Sequence, residues 1–408
     1  MKLCDLYKKE ASAHLERYVN NGSPSGYSIK CSTSKNTNPF TGSEYIHPYI
    51  CISNKSNFID FGAIPNIDVE CSNSENWVLV HPDMSEHAFF KNENLKLKRA
   101  DSIKLVPTAS ARTLQLVDSD FQGYFKLHYD GTIGRLERKL PYDVAISGVE
   151  ISKILESLID DKKLDERLTH LPEIGARILR IQNQDWGMVW RSKMPYGDCS
   201  KIKYVIPVFA LFSKDRHNPK DNTLLEQIIT EKFYDPTTYV VDYLINPIIE
   251  CYFSLLKNAG IQGEWHAQNL LIGFDEDFLP QKIIARDLES MDKDMTLIEI
   301  FNLPFQFQSN PYKCIDKSRE DYQKKHSFMF DFKLGEYVIQ PLINFLESIY
   351  FIGSDTLIPS IKECSENQIK ELPEDFFPNQ WYGYKNVEIN RTTDERPYLM
   401  FDNPKFRP

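Results

Sequence analysis

The sequence predicts an α+β fold in which strands and helices occupy different parts of the chain. Short apolar runs of strand character follow one another at 77–80, 103–106 and 123–128, and their spacing is typical of an antiparallel sheet. Longer helical patterns dominate the second half, at about 236–258 and in a pair at 334–352 and 355–371. We therefore expect an antiparallel-sheet subdomain followed by a helix-rich subdomain.

The length of the chain supports a division into subdomains. Its 408 residues exceed the size at which one hydrophobic core usually stops growing. We expect a loop-rich N-terminal segment at 1–75, the sheet subdomain at 76–215 and the helix-rich subdomain at 216–408. The first segment is rich in Ser, Asn and Gly and contains only short strand-like runs such as 49–52.

Individual elements have local signals. The Ser-x-x-Glu pattern at 147–150 resembles a capping box, and the apolar residues after it repeat at helical spacing, which predicts a helix from about 148 to 160. The helix at 236–258 is expected to end at Gly260, because glycine adopts the left-handed conformation that closes helices. The apolar run 204–212 predicts a further strand.

Composition excludes several classes of protein. The chain is 41% hydrophobic and 26% charged, as is usual for soluble globular proteins. Its formal net charge of −10 argues against a nucleic-acid partner, which requires a basic face. The chain contains no run of eighteen apolar residues and no apolar signal core near its start, so we expect no membrane partner and a cytoplasmic location.

The densest group of polar residues is Glu-Trp-His-Ala-Gln-Asn at 264–269, followed after an apolar run by Arg-Asp-Leu-Glu at 286–289. These segments flank two strand-like runs joined by a turn at 275–277, so their side chains can converge on one cleft. The oxygens of Asn269 and Asp287 are ligands that magnesium accepts together with phosphate. Glu264 and Glu289 are further candidate acids, and Arg286 is expected to orient Asp287 by pairing with a carboxylate.

Basic residues that could hold a triphosphate lie on the predicted sheet. They are Arg112, Lys126 and Arg138; arginine offers a planar fork to phosphate, and lysine acts as a point charge. Lys126 and His128 alternate with apolar residues, so both are expected on the cleft side of one strand. The alternative is that Lys126 is a solvated surface residue.

Several segments, in order along the chain, resemble the NRPS-independent siderophore synthetases, the aerobactin-synthetase-like family. They are Val80-His81-Pro82, Ser110-Ala111-Arg112-Thr113, Lys126-Leu127 with Arg138, Glu264-Trp265-His266-Ala267-Gln268-Asn269 with Arg286-Asp287, and the ending Phe401-Asp402-Asn403-Pro404. The chain departs from the family pattern at Asp83 and Met84, which replace Trp and Gln, and at Ser290, which replaces Gly. The resemblance covers roughly residues 75–404.

The resemblance implies a site for ATP and Mg²⁺ in a cleft between the two subdomains. The residues it implies as nucleotide contacts are Ser110, Arg112, Thr113, Lys126, Arg138, His266, Gln268, Asn269 and Asp287. The expected metal ligands are Asn269, Asp287 and Glu264, and the expected catalytic residues are His266, Arg138 and Lys126.

The resemblance also implies an activity. Family members adenylate a carboxylate with ATP and pass the acyl group to an amine, hydroxylamine or alcohol; citrate or another polycarboxylate is the implied donor. Adenylation builds negative charge on phosphate, which cations and N–H donors stabilise. The activated acyl group then needs mainly a well-positioned acceptor, which fits the lack of a recognisable Ser-His-Asp or Cys-His arrangement. Dimerisation is common in the family, so a homodimer is a further expectation.

Two other functions stay open at this level. A His-x-x-Asn followed by a later Asp also resembles kinase-like folds, although the sequence has no glycine-rich phosphate loop. A non-catalytic nucleotide-binding homologue is the second alternative, because the family's N-terminal His-Pro-x-x-Lys-x-Arg-x-Gly motif is represented only by His47-Pro48 and Lys55.

Some single residues also have a second, structural interpretation. Ser110 and Thr113 are also typical turn residues, and His81 before Pro82 is typical of a strand end. His266 belongs either to a buried hydrogen-bond network or to the chemistry, where it could act as a base only with a pKa near neutral.

Overall fold

The computed structural model describes residues 1–21, 36–53, 57–64, 67, 76–93, 95–117, 122–133, 136–305, 307, 313–383 and 399–408. The α-helices in these residues, α1 to α10 in chain order, are Ala11–Tyr18, Ala88–Asn92, Tyr142–Asp160, Val208–Phe212, Leu224–Lys232, Asn246–Ala259, Met295–Ile300, Tyr322–Ser327, Gln340–Tyr350 and Ser354–Ile369. Two π-helical segments extend them: Thr238–Ile245 runs into α6, and Phe328–Ile339 joins α8 to α9.

The strands in the described residues, β1 to β20 in chain order, are Tyr49–Ser53, Phe58–Gly62, Asn76–Val80, Leu97–Arg99, Lys104–Pro107, Thr113–Val117, Gly123–Leu127, Tyr129–Ile133, Leu136–Arg138, Leu168–His170, Glu173–Ile181, Gln184–Ser192, Tyr204–Pro207, Ile261–Gln262, Leu270–Phe274, Pro280–Ala285, Asp292–Asp294, Cys314–Ile315, Trp381–Gly383 and Leu399–Phe401. The α+β class predicted from the sequence is confirmed.

A six-stranded antiparallel sheet, in the order β2-β11-β12-β7-β6-β5, carries the first half of the site. Thr113 lies opposite Lys126, Lys126 lies opposite Val189, and Arg191 lies opposite Glu173. Because side chains alternate along strands, Thr113, Lys126 and Arg191 share one face of this sheet. The other face is apolar and packs on the smaller β3-β1-β4 sheet; its core includes Leu114, Phe125, Met188 and Trp190.

The second half of the site lies between paired strands. Strands β15 and β16 form the predicted hairpin, with Leu270 opposite Ala285, and strands β14 and β17 pair just outside it, with Gln262 opposite Asp292. Residues 263–269 and 286–291 therefore form two loops, each held by a paired strand at both ends. The Arg286 N–H donates to the Asn269 carbonyl at 3.0 Å, which closes the two loops on each other.

The long apolar stretch Thr238–Ala259 forms the centre of the helix-rich part. By length and composition it could cross a membrane, but 78% of its most apolar eighteen-residue window is buried inside the fold, as is usual for a core helix. It ends at Gly260 with a φ of +60°, so the predicted glycine stop is confirmed. The predicted C-terminal helical pair is also confirmed, as α9 with α10.

Two predicted elements differ from the structure. Helix α3 begins at Tyr142 after Pro141, so the Ser-x-x-Glu pattern at 147–150 lies inside the helix and does not cap it. Ser147 and Gly148 are buried there, and a Cβ at Gly148 would lie 1.7 Å from Glu173 Oε2. The apolar run 204–212 is a strand only to Pro207, which lacks the donor that a ladder needs; the short helix α4 follows it.

The N-terminal segment contains a helix that the sequence did not predict. Leu15 and Val19 of the α1 region are buried in the largest hydrophobic cluster, together with Leu225 of α5. The expected strand at 49–52 is confirmed as β1, whereas Lys55 of the expected N-terminal motif lies outside the described residues. The subdomain boundaries at 75 and 215 stay predictions.

Buried histidines should make the fold sensitive to acid. Burial lowers the pKa of His81 and of His128 to about 4 and that of His170 to about 3. Below pH of about 6.5 the unfolded chain takes up these protons while the folded protein does not, so stability is lost as pH falls. We expect the free energy of unfolding in urea to drop steadily from pH 7.5 to pH 5.

One substitution tests whether the buried histidines cause the pH dependence of stability. His170→Gln keeps a polar partner for Ser152 Oγ, which lies 3.0 Å from His170 Nε2, but removes one titrating group. Its unfolding free energy should depend less on pH than that of the wild type. Equal stability of the wild type at pH 7.5 and pH 5 would contradict this account.

Candidate active site

Six charged side chains meet where the six-stranded sheet faces the two motif loops. We call them the charge cluster; its members are Arg112, Lys126, Glu173, Arg191, Asp287 and Glu289. The Lys126 ammonium pairs with Asp287 Oδ1 and Glu289 Oε2, Arg112 lies 3.0 Å from Glu289 Oε1, and Arg191 lies 2.6 Å from Glu173 and 3.0 Å from Asp287. Three positive and three negative groups therefore alternate in one largely buried network.

Lys126 is at the centre of this cluster. Its side chain is only 2% exposed, so the alternative of a solvated surface lysine is wrong. His128, expected on the same face, instead lies beyond the end of β7 and stacks on Trp186, with 4.3 Å between ring centroids. Because Trp186 belongs to the apolar cluster of the opposite face, His128 does not take part in the charge cluster.

Asp287 is the most accessible acid of the cluster, with 27% of its side chain exposed. Burial alone would raise the pKa of its carboxyl group, but Lys126 and Arg191 hold the pKa well below its usual range. For Glu289, burial has the larger effect: it raises the pKa, and the charge of Asp287 raises it further, although Lys126 opposes both. The two acids thus differ in their affinity for a proton although the same lysine contacts both.

The Ser-x-Arg-Thr turn and the 286–291 loop each contain a residue in the left-handed backbone region. Ala111 has a φ of +64° and Asp287 a φ of +68°. This conformation costs an alanine on the order of 1–2 kcal/mol, and such strain tends to occur at functional sites. Ala111 allows Ser110 Oγ to accept from the Thr113 N–H at 3.0 Å, so the turn interpretation of Ser110 is correct, and its own hydroxyl proton can still be donated.

The two arginines of the sheet motifs have different surroundings. Arg112 is buried and donates to the Arg138 carbonyl at 2.8 Å as well as to Glu289, so it fixes strand β9 to the motif loop. The charges of Asp287, Glu264 and Glu289 act on the Arg138 guanidinium, and its Nε is buried and finds no hydrogen-bond partner among the described residues. Burial and the nearby Arg112 lower its pKa. Arg138 is therefore placed to bind an anion.

His266 is neutral in this structure. Burial and the nearby Lys333 lower the pKa of its imidazole to about 4, which does not favour the role of a general base near neutral pH. Its Nδ1 accepts from the Gln268 N–H at 3.3 Å, so the proton is on Nε2. His266 is thus suited to donate a hydrogen bond to a ligand oxygen.

Glu264 and Asn269 occupy the same loop as His266. The Glu264 carboxylate lies 2.5 Å from Lys333 Nζ, and although burial opposes it, Lys333 lowers the pKa of Glu264 to about 2. The Asn269 amide donates to the Glu264 carbonyl at 3.2 Å, and Gln268 is half-buried beside it. The predicted metal roles of Glu264, Asn269 and Asp287 and the nucleotide contacts of Gln268 stay predictions.

His81 lies beneath the Ala111 turn. Its side chain is fully buried, its Nδ1 accepts from the Asp83 N–H at 3.2 Å, and its ring packs edge-on against Tyr129 at 5.0 Å. The Nε2 of His81 is buried and has no hydrogen-bond partner among the described residues, so a role of His81 toward a ligand stays a prediction.

Three functional candidates were missed from the sequence: Glu16, Glu173 and Arg191. Glu16 on α1 pairs with the Arg286 guanidinium, and its Oε2 accepts from the Ala109 N–H at 3.3 Å. It therefore ties the Ser-x-Arg-Thr turn to the Arg-Asp loop. Arg286 was expected to have a carboxylate partner, but no local pattern identifies one 270 residues away. Glu173 and Arg191 depend on the register between β11 and β12.

Comparison with known proteins supports the resemblance described above. Residues 76–213 match the model of the IucA / IucC family. The match ends one residue after helix α4 and so includes most of the six-stranded sheet, but not the two motif loops. No curated protein matches the sequence.

Solved structures extend the likeness over most of the chain. Aerobactin synthetase IucA from a hypervirulent pathotype of Klebsiella pneumoniae, solved with ATP bound, gives a TM-score of 0.72 at 12% identity, over 98% of this chain and 79% of its own. IucC from the same source gives 0.67 at 14% identity, over 91% and 71%. The petrobactin biosynthesis protein AsbB from Bacillus anthracis str. Sterne gives 0.68 at 15% identity, over 89% and 68%. The fold of this chain is that of these proteins.

Glu16 provides a test of how the two loops are held together. Glu16→Gln keeps the shape of the side chain but removes the charge that faces Arg286, so we expect the free energy of unfolding to fall by about 1.5–3 kcal/mol. Amide hydrogen exchange should increase around 108–112 and 286–290. The control is Glu10→Gln, an exposed residue at the start of the same helix, which should change stability by less than about 0.5 kcal/mol. Equal effects of both variants would contradict the role of Glu16.

Proposed function

We propose that this chain, which resembles the IucA / IucC family in sequence and in fold, is a cytoplasmic, ATP-dependent ligase of siderophore biosynthesis. It would activate a carboxylate as an acyl adenylate and transfer the acyl group to an amine, hydroxylamine or alcohol. The observation that carries the proposal is the charge cluster: Lys126 and Arg191 contact an accessible acid, Asp287, and Arg112 contacts the neighbouring Glu289. The cluster lies beside two strained backbone positions, Ala111 and Asp287.

The cluster suits the first half-reaction. A substrate carboxylate oxygen attacks the α-phosphorus of ATP, the bond to the β-phosphate oxygen breaks, and pyrophosphate leaves with the electron pair. Negative charge on the phosphoryl oxygens is stabilised best by cations that are already in place and shielded from water. Arg138, with a buried Nε that lacks a protein partner in the described part of the chain, and Lys126 are positioned for this role.

Arg112 acts in the proposal through position more than through its own charge. Its guanidinium holds the Arg138 backbone and Glu289, so it keeps Arg138 close to the loop that carries Asp287 and Glu289 and pre-organises the phosphate-binding cations. Magnesium, when bound with the nucleotide at Asp287, would neutralise phosphate charge. The neutral His266 would donate its Nε2 proton in a hydrogen bond to a phosphate or carboxylate oxygen.

The second half-reaction requires few protein groups, because the acyl group is already activated. The lone pair of the acceptor attacks the acyl carbonyl, the bond from the acyl carbon to the AMP oxygen breaks, AMP leaves with the electron pair, and the N–H or O–H proton of the acceptor is lost to water. A bound, neutral acceptor close to the carbonyl supplies most of the rate. The family resemblance supports citrate or another polycarboxylate as donor, and the similar structures include an aerobactin synthetase and a petrobactin biosynthesis protein.

Nucleotide product analysis tests the proposal. The full chain is incubated with ATP, Mg²⁺ and a panel of di- and tricarboxylic acids, with and without diamines, hydroxylamines and amino alcohols. We expect carboxylate-dependent release of AMP and pyrophosphate. ADP as the product would show a phosphotransferase instead, and ATP binding without any turnover would show a non-catalytic homologue.

Two substitutions test the site itself. Arg112→Ala and Asp287→Ala should lower the rate of AMP formation by at least about 100-fold, because each removes a group that positions or balances the phosphate-binding cations. Lys139→Ala, next to Arg138 but with 48% of its side chain exposed, should retain the wild-type rate. Circular dichroism and thermal melting establish that each variant is folded. Full activity in both site variants would refute the assignment.

The pH dependence tests the role of His266. Because the pKa of this imidazole is lowered to about 4 by burial and Lys333, it stays neutral above pH of about 5, and kcat/KM should show no ionisation from His266 between pH 5.5 and 8. His266→Gln should lower kcat about 10-fold or more and leave the shape of the profile unchanged. Loss of an ionisation near pH 6.5 in the variant would instead identify His266 as a base.

A further inference from the structure

Glu173 has a carboxylate oxygen that the rest of the site does not use. The side chain is completely buried, and its Oε1 accepts from Arg191 at 2.6 Å. Its Oε2 is buried without a hydrogen-bond partner among the described residues. A buried ionised oxygen without a partner is costly, so the site contains an acceptor that is suited to a positively charged ligand.

Two other acids lie next to it. One carboxylate oxygen each of Glu173, Asp287 and Glu289 can be chosen so that all three lie within 4.8 Å of one another. Oxygen ligands surround Ca²⁺ at about 2.3–2.6 Å and Mg²⁺ at about 2.0–2.1 Å, so two ligands on opposite sides of one ion are roughly 4–5 Å apart. The triangle of oxygens therefore has the size of a divalent cation site.

The structure already holds a positive charge beside this triangle. The Lys126 ammonium pairs with Asp287 and with Glu289 at the same time, and the charge of Glu173 also reaches Glu289. An ammonium group in contact with two carboxylates occupies the region that a metal ion would take.

We infer that Glu173, Asp287 and Glu289 form a divalent-cation site in which the Lys126 ammonium stands in for the metal until nucleotide binds. With nucleotide bound, Glu173, Asp287 and Glu289 would hold the cation, and the Lys126 ammonium would contact the triphosphate. The exchange with nucleotide rests on the proposed function, whereas the three-carboxylate site does not.

Charge balance explains why the exchange would be coupled. Lys126, Arg112 and Arg191 balance the three carboxylates in the observed state, so a divalent ion added alone would leave an excess of two positive charges. A triphosphate supplies negative charge that attracts Lys126 away from the acids. The metal and the nucleotide would therefore assist each other's binding, with Lys126 as the exchanging group.

The fold makes room for Glu173 at a specific position. A β-bulge between Glu173 and Gly175 changes the register of β11 beside Arg191. Gly148 of helix α3 lies against the carboxylate, because a Cβ there would be 1.7 Å from Oε2 and 3.4 Å from the Glu289 nitrogen. Any larger residue at position 148 would displace Glu173 from the triangle.

Glu264 is not part of this site. Its carboxylate is paired with Lys333 at 2.5 Å. Among the described residues, the three acids whose oxygens lie within 4.8 Å of one another do not include Glu264. The inference thus makes Asp287 a metal ligand, as the sequence predicted, but assigns Glu173 and Glu289 as its companions in place of Glu264.

The test uses Mn²⁺ binding to the full chain without nucleotide, measured by the electron paramagnetic resonance signal of free Mn²⁺. Lys126→Met removes the competing ammonium at similar length, so we expect Mn²⁺ to bind at least about 10-fold more tightly than to the wild type. In that background Glu173→Gln should weaken binding by about 10-fold or more, and Glu264→Gln should change it less than about 2-fold. Lys139→Met, an exposed lysine beside Arg138, should bind Mn²⁺ as the wild type does.

Several results would overturn the inference. They are equal Mn²⁺ affinity in the wild type and Lys126→Met, no effect of Glu173→Gln, or loss of binding in Glu264→Gln. If Lys126→Met does not fold, the comparison is made in the wild-type background with a non-hydrolysable ATP analogue. There, Glu173→Gln and Gly148→Ala should each weaken Mn²⁺ binding about 10-fold or more, and unchanged binding would refute the site.

These readouts are independent of turnover. Tight Mn²⁺ binding by Lys126→Met, lost with Glu173→Gln, would support the cation site even if the wild type formed no AMP. AMP formation without these binding changes would support the proposed function and refute the cation site.

Discussion

Lys126 joins the two halves of the molecule at their most polar point. Its ammonium comes from the centre of an antiparallel sheet and contacts Asp287 and Glu289 on a loop more than 160 positions later in the chain. A buried charge is tolerated only when opposite charges surround it closely. The sheet and the motif loop must therefore stay in one relative position, and the other contacts of the site are arranged around this one.

The remaining ion pairs also hold the sheet and the loop that carries Asp287 and Glu289 in one relative position. Arg112, just before β6, pairs with Glu289, and Arg191 on β12 pairs with Glu173 and Asp287. Glu16 fixes Arg286 and the Ala109 amide from an N-terminal helix. The strained turns at Ala111 and Asp287 are held in place by these contacts. A network this buried is rigid, which is what pre-organised stabilisation of phosphate charge requires.

Burial also sets the protonation state of the histidines in and around the site. His81 and His128 lie beneath the site and are kept neutral by loss of solvent, which lowers the pKa of each to about 4. His266 shares this property within the site itself. Burial thus makes these residues hydrogen-bonding groups of fixed charge near neutral pH, while the charges are concentrated in the arginines, lysines and carboxylates.

Elements and motifs that have a local signal could be predicted from the amino-acid sequence. Glycine closed the helix at Gly260, alternation placed Lys126 on a polar face, and the loop residues around His266 and Asp287 were identified before their geometry was known. The predicted start of helix α3 was wrong, because Gly148 lies inside the helix, where it allows close contact with Glu173. The contacts of Glu173, Arg191 and Glu16 could be identified only once the folded arrangement was known. Their roles depend on strand register and on partners as far as 270 residues away, and local periodicity carries no information about such contacts.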